Sequence, residues 1–212
     1  MHSNLDPLSI MGKIMKEIKL EEVAQISSGL VLQRFGLDRK YSKVPKKQIS
    51  TNGKMYYHIT LKAVDDNKID LNLLETIKIE KEMNERYLLK KGDIIMKLSP
   101  PFSAAVIDFN CKNLLGSSHF AIIRVKDKFD PEYLSYILNG KYVQKQLNRI
   151  VEGGILSIIK INYLNEVKIR FKDINDQIRY AKLLSLFSKR RELKMRVMEL
   201  EDVIIENLIS DL

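Results

Sequence analysis

"DINDQIRYAKLLSLFSKRRELKMRVMELEDVIIENLISDL", Asp173 to Leu212, decides the architecture, because it contains neither glycine nor proline. Asp173, with Asp176 three residues on, reads as a capping box in which Asp stands for the usual Glu or Gln. Leu183, Leu186, Arg190, Leu193, Val197, Leu200, Ile204 and Asn207 then recur at alternating spacings of three and four. That is the seam of a coiled coil. A helix of this length runs roughly 60 Å at 1.5 Å per residue. A domain built from the preceding residues is only about 35 Å across by its radius of gyration. Much of the helix therefore protrudes, and its seam needs a partner beyond its own domain.

Charge along the stretch is divided. Arg179, Lys182, Lys189, Arg190, Arg191, Lys194 and Arg196 fill the first part. After Arg196 no basic residue occurs, while Glu199, Glu201, Asp202, Glu206 and Asp211 are acidic. The order opposes the helix macrodipole, which favours acids early and bases late. An antiparallel second copy would lay the basic half over the acidic half. The stretch reads as an antiparallel dimerisation arm.

Upstream the chain is of mixed character. "KEIKLEEVAQISSGL" reads as strand, helical turn and strand, ending at Gly29. "KMYYHITLKAV", "GDIIMKL", "AAVIDF" and "HFAIIRV" are strand candidates, and "NEVKIRF" is a final strand. "DPEYLSYILNGKYVQKQLNRI" opens with Asp130-Pro131, a cap followed by a first helical position, and predicts two helical pieces broken near Gly140. The fold class expected is mixed α/β (α+β): a globular domain over 16–171, then one long C-terminal coiled-coil helix over 172–212. Residues 1–15 read as a disordered leader, with Met11 an alternative start.

Composition narrows the partners. The 212 residues carry a net charge of +9, favouring a polyanionic partner. The single cysteine, Cys111, excludes an intrachain disulfide and fits a reducing, cytoplasmic compartment. No apolar run approaches a membrane span, and no membrane partner is expected.

Nothing in the sequence demands catalysis. "SPPF", Ser99 to Phe102, has the form of the catalytic loop of amino-methyltransferases acting on DNA bases. Such an enzyme also needs a glycine-containing turn for S-adenosylmethionine, and none of the nine glycines forms a spaced pair in a strand–turn–helix context. A rigid turn between "GDIIMKL" and "AAVIDF" is the simpler reading. His2, His58 and His119 stand apart from Cys111 and from one another, so no metal site and no cysteine–histidine pair is expected.

DNA contact is better supplied. Between Gln33 and Lys54 the cations Arg34, Arg39, Lys40, Lys43, Lys46, Lys47 and Lys54 face the single acid Asp38, with Gly36, Pro45 and Gly53 marking loop. Tyr41, Gln48, Asn52, Tyr56 and Tyr57 add hydrogen-bonding edges and flat surfaces among the phosphate ligands; Gln48 and Tyr57 are the candidates for base contact. Ser117, Ser118 and His119 form a second candidate loop. Lys145, Asn148 and Arg149, with Gly153-Gly154, form a third.

Four segments together carry a likeness: "KLEEVAQISSGL", "YLLKKGDIIMKLSPPFSAAVID", "GSSHFAIIRVK" and "GGILSIIKINYLNEVKIRFKDINDQIRYAKLLSLF". Their order and wording resemble one half of the DNA-specificity subunit of type I restriction–modification systems. That family usually ends this strand in prolines and opens the helix with Glu-Gln; "IRFKDINDQ" lacks the prolines and keeps Gln177. The resemblance implies a target-recognition domain with a long spacer helix, and a subunit that is not an enzyme. It implies double-stranded DNA, DNA methyltransferase subunits and a restriction subunit as partners in a bacterial or archaeal cytoplasm. S-adenosylmethionine would be held by the methyltransferase, and no cofactor by this chain. A single recognition domain with one helix implies a half-subunit, so that a homodimer would rebuild the two-domain form and read a bipartite palindrome. Two other readings stand beside it: a small DNA amino-methyltransferase using Ser99–Phe102, and an assembly adaptor that does not bind DNA.

Overall fold

In the computed structural model, which describes residues 16–32, 53–80, 82–152 and 158–210, two four-stranded sheets face each other and helices cover the outer face of one. The chain begins with β1 (Lys16–Lys19), the single turn α1 (Leu20–Val23) and β2 (Ala24–Ser28). Next come β3 (Lys54–Ile59), a short hairpin of β4 (Val64–Asp65) and β5 (Lys68–Ile69), and β6 (Glu75–Ile79). Then follow β7 (Leu88–Leu89), β8 (Ile94–Lys97), β9 (Ala104–Val106), β10 (Leu114–Gly116) and β11 (Phe120–Val125). Helices α2 (Pro131–Asn139), α3 (Lys141–Glu152) and α4 (Ile161–Asn165) precede β12 (Lys168–Phe171) and the long α5 (Ile174–Ser210).

The first sheet runs β2-β11-β8-β9, all antiparallel, and is buried on both faces. Along β11, Phe120 and Ile122 point to the other sheet, while Ala121 and Ile123 point to the helices; in β8, Ile95 and Ile94 divide the same way. This accounts for the unbroken apolar runs "DIIM" and "FAII": a strand covered on both sides has no face left for polar residues. The second sheet runs β6-β3-β10-β7, with β10 parallel to β3. Its inner face meets the first sheet through Ile59, Leu89 and Leu114. Its outer face carries a smaller core of Leu30, Tyr56, Ile79, Met83 and Leu115. β1 pairs with β12, tying the first strand to the last before α5 departs.

The break at Gly140 between two helices appears as expected, with Asp130 capping α2 by accepting the Tyr133 N–H at 2.7 Å. "KMYYHITLKAV" is not one strand, however. It leaves the sheet at Thr60, whose hydroxyl donates to the Leu73 carbonyl, and turns through Leu61–Ala63 into the β4–β5 hairpin. β6, β7, β10 and α4 have no counterpart in the sequence reading. Among the described residues no helix is long and apolar enough to cross a membrane.

Candidate nucleic-acid interface

Most of the predicted phosphate ligands, Arg34, Arg39, Lys40, Lys43, Lys46 and Lys47, lie outside the described residues, as does Gln48. What is described is where that segment is rooted. Leu30 and Leu32 before it, and Tyr56 just after it, pack into the same small outer core of the second sheet. Leu30 bridges to Ser117, and the Ser118 N–H donates to the Leu30 carbonyl at 2.8 Å. Leu30, shortly before the basic stretch in the chain, and the Ser117–His119 loop therefore lie side by side. Gly29 makes this approach possible, since a Cβ there would lie 2.1 Å from the Ser117 carbonyl oxygen.

Within that loop the residues differ. Ser117 is buried, Ser118 is half-buried, and His119 is exposed. Tyr57 is 46% exposed on β3, where a ring could meet a ligand. Tyr56 is not available: it is buried, and its hydroxyl accepts the Met83 N–H. Strand alternation separates the two tyrosines onto opposite faces. Arg149 is exposed on α3, which packs on the first core and β12, and no described contact joins it to the other candidates.

Sequence reasoning passed over Arg86. It sits in the charged run Glu80–Lys91, where no local pattern sets it apart. Its guanidinium stacks 4.4 Å above the Tyr87 ring, beside the same outer core that roots the basic stretch. Lys54 lies similarly over Tyr56. Arg124, by contrast, is used internally: it pairs with Asp93 at 3.3 Å and donates to the Leu88 carbonyl at 2.8 Å.

"SPPF" is a turn. Phe102 is fully buried in the first core, among Leu20, Leu98 and Leu134, and its N–H donates to the Ser99 carbonyl. A methyltransferase of this form needs that ring free to stack on an extruded base, so the geometry fits the rigid-turn reading and not the amino-methyltransferase alternative.

Helix α5 has two faces. Asp173 accepts the Asp176 N–H at 3.1 Å, and Asp176 pairs with Arg179. Gln177 and Ala181 are its buried residues. The Gln177 side chain accepts the Asp130 N–H at 2.9 Å and donates to the Lys172 carbonyl at 2.8 Å, which fixes the helix root to the start of α2. Further along, Ser188, Arg191, Glu192, Met195 and Glu199 line a crevice against the β4–β5 hairpin. The predicted seam runs beside it: Leu193 borders this crevice, and with Leu186, Arg190 and Val197 it lines an open apolar groove. Leu183, Leu186, Leu193, Val197, Leu200 and Ile204 are all between 44% and 58% exposed, so nothing among the described residues covers them. Met198, Val203, Ile205, Leu208 and Ile209 are exposed as well, which the seam alone did not anticipate. Apolar residues ring the distal helix, the pattern of a helix enclosed by neighbours.

No protein-family model matches the chain. Over 204 residues it is 24% identical to the type I restriction enzyme MjaVIII specificity subunit of Methanocaldococcus jannaschii, covering 90% of this chain and 44% of that protein. Among solved structures it is similar to the HsdS subunit of Thermoanaerobacter tengcongensis, with a TM-score of 0.62 and 17% identity. That match covers 84% of this chain and 43% of the other. It is also similar to the type I restriction–modification S subunit of M. genitalium, with a TM-score of 0.54 and 13% identity over 93% of this chain and 45% of that one. The chain thus has the fold of one half of a specificity subunit, and spans less than half the length of the proteins it matches.

Proposed function

We propose that this chain is a DNA-sequence-recognition element of a type I restriction–modification complex, without catalytic activity of its own. In this reading the globular part, 16–171, reads one short DNA sequence. The basic stretch from Arg34 to Lys47, with Lys54 and Arg86 beside its root, holds phosphates. Tyr57, Gln48 and the Ser118–His119 loop face the bases. The helix from 172 onward pairs antiparallel with that of a second copy. Its further apolar flank, Met198 and Ile205, is left for a methyltransferase subunit, which would bring S-adenosylmethionine.

The observation that carries the reading is the helix. Its apolar seam stands exposed, and its charge order is inverted against the macrodipole. A second copy offers the complementary order. Two identical recognition parts about a twofold axis require inverted, identical half-sites. Helices of this length separate those half-sites by between one and two turns of duplex, at about 34–36 Å per turn.

The test is a methylome of cells carrying this chain with an adenine methyltransferase subunit. The expected motif is a bipartite palindrome with a spacer of fixed length and free sequence. An asymmetric motif, or one accepting several spacer lengths, would overturn the symmetric-dimer reading. Methylation by this chain without any partner would overturn the non-catalytic assignment.

A further inference from the structure

The β4–β5 hairpin is a small feature held with unusual firmness. Its turn residues Asp66 and Asn67 both have positive φ, 35° and 63°, a conformation that Asp and Asn tolerate better than most. The Asn67 side-chain oxygen accepts from the Ser135 hydroxyl and the Asn139 amide, each at 2.7 Å. Asn139 in turn bonds both the N–H and the carbonyl of Ala104, and Ser103 donates to Asp65. The turn is therefore bolted to α2 and to the entrance of β9. From this fixed base Asp66 and Lys68 reach the long helix. Asp66 meets Arg191 at 3.5 Å, and Lys68 meets Glu192 at 2.5 Å. The contact lies about 26 Å along the helix from its first turn.

We propose that this hairpin is a strut that sets the angle and rotation of α5 on the globular part. On the specificity-subunit reading, on which this consequence rests, Asp66, Lys68, Arg191 and Glu192 are positioning residues for half-site spacing. The two ion pairs have opposite polarity on adjacent helix positions. Rotating or sliding the helix by one residue would bring Asp66 toward Glu192, or Lys68 toward Arg191. Exposed pairs like these contribute little to stability and are screened by salt. Their value lies in penalising the wrong alignment. Leverage makes that worthwhile: from Ser185, hydrogen-bonded to Tyr136 of α2, to Ser210 the helix runs about 38 Å. A swing of about 10° moves the tip by roughly 6–7 Å, about two base-pair steps. The lowered pKa of Glu192, caused first by its hydrogen bond from Lys68, agrees with a formed contact.

The experiment reads the angle within one chain. Spin labels are placed at Lys112→Cys and Asp202→Cys in a Cys111→Ser background, and labelled protein is diluted into unlabelled protein so that only intrachain distances are seen. The distance distribution is expected to be narrow, and to broaden and shift in Lys68→Glu/Arg191→Glu, where both pairs become repulsive. Adding Asp66→Lys and Glu192→Lys to that variant, which restores both pairs in reverse and keeps their opposite polarity, should return the narrow distribution. An unchanged distribution in the first variant, or no recovery in the second, would overturn the strut. In cells with the methyltransferase partner, the repulsive variant should also methylate sites whose spacer is one base pair longer or shorter. If the distances respond and the spacer does not, the strut stands and the spacing reading falls.

Discussion

Replacing Gln177 tests whether the root of the long helix is held by hydrogen bonds or by mere burial. The side chain is 2% exposed and makes two bonds of opposite kind, accepting from the Asp130 N–H and donating to the Lys172 carbonyl. Asp130 also caps α2, so one side chain aligns the starts of two helices. Leaving a buried polar group unpaired costs about 1–3 kcal/mol. Gln177→Ala strands both partners but opens room for water, so a loss of about 2 kcal/mol is expected. Gln177→Leu keeps the volume and excludes water, and the loss should rise to about 3 kcal/mol or more. An account based on hydrophobic burial alone predicts the reverse, with leucine neutral or stabilising. The assay is urea unfolding followed by circular dichroism, at one fixed protein concentration because association would add mass-action stability. A leucine variant within about 0.5 kcal/mol of the original would refute the argument, since surface-like substitutions fall in that range.

Phe102→Ala should lower stability by about 3–5 kcal/mol, as for other fully buried aromatic truncations, and urea unfolding reads the loss directly; an unfolding midpoint unchanged from the original would return the ring to the surface. Ending the chain after Phe187 removes most of the seam and should give a monomer by light scattering; a truncated dimer would place the interface elsewhere. Replacing Lys46 and Lys47 with alanine, and separately Arg86, should flatten the dependence of log K on log salt by about 0.9 for each phosphate no longer neutralised. Equal slopes in all variants would make the basic stretch a solvated surface.

The parts of the fold legible in the sequence are those where one local signal suffices. The double-sided burial of β8 and β11 is written in "DIIM" and "FAII", and the α2–α3 break in Asp130-Pro131 and Gly140. What stayed hidden depends on partners far away in the chain. β10 is three residues held in parallel against β3, a pairing no local pattern encodes. The β4–β5 turn takes its meaning from residues far along the chain: Ser135 and Asn139, which bond Asn67, and Arg191, which pairs with Asp66. Tyr56 and Tyr57 read alike as adjacent aromatics; only the pleat sends one into the core and leaves the other exposed. The exposed apolar row from Leu183 to Ile204 on α5 was legible from spacing, but the exposed flank beyond Met195 was not, since apolar residues on several sides blur any single period.

The charge order also fixes where two helices would cross. The cations run from Arg179 to Arg196, centred near residue 187, and the acids from Glu199 to Asp211, centred near 205. Setting 187 opposite 205 in an antiparallel pair puts the twofold axis near residue 196, halfway between them. Leu183 then faces Ile209, while Val197 lies within two residues of its own copy. The two helix starts at Ile174 stand 2 × 22 residues apart, roughly 66 Å. That is just under two duplex turns, which lets both recognition parts approach the same face of the DNA. A parallel pair would instead stack cations on cations along the first half, a repulsive arrangement. In a Cys111→Ser background, Val197→Cys should therefore crosslink to itself under mild oxidation, since a disulfide needs Cα atoms within about 7 Å. Leu183→Cys should stay uncrosslinked, its own copy lying about 26 residues, or roughly 39 Å, along the pair. Crosslinking at both positions would mean parallel helices, and crosslinking at neither would mean that the seam is not the interface.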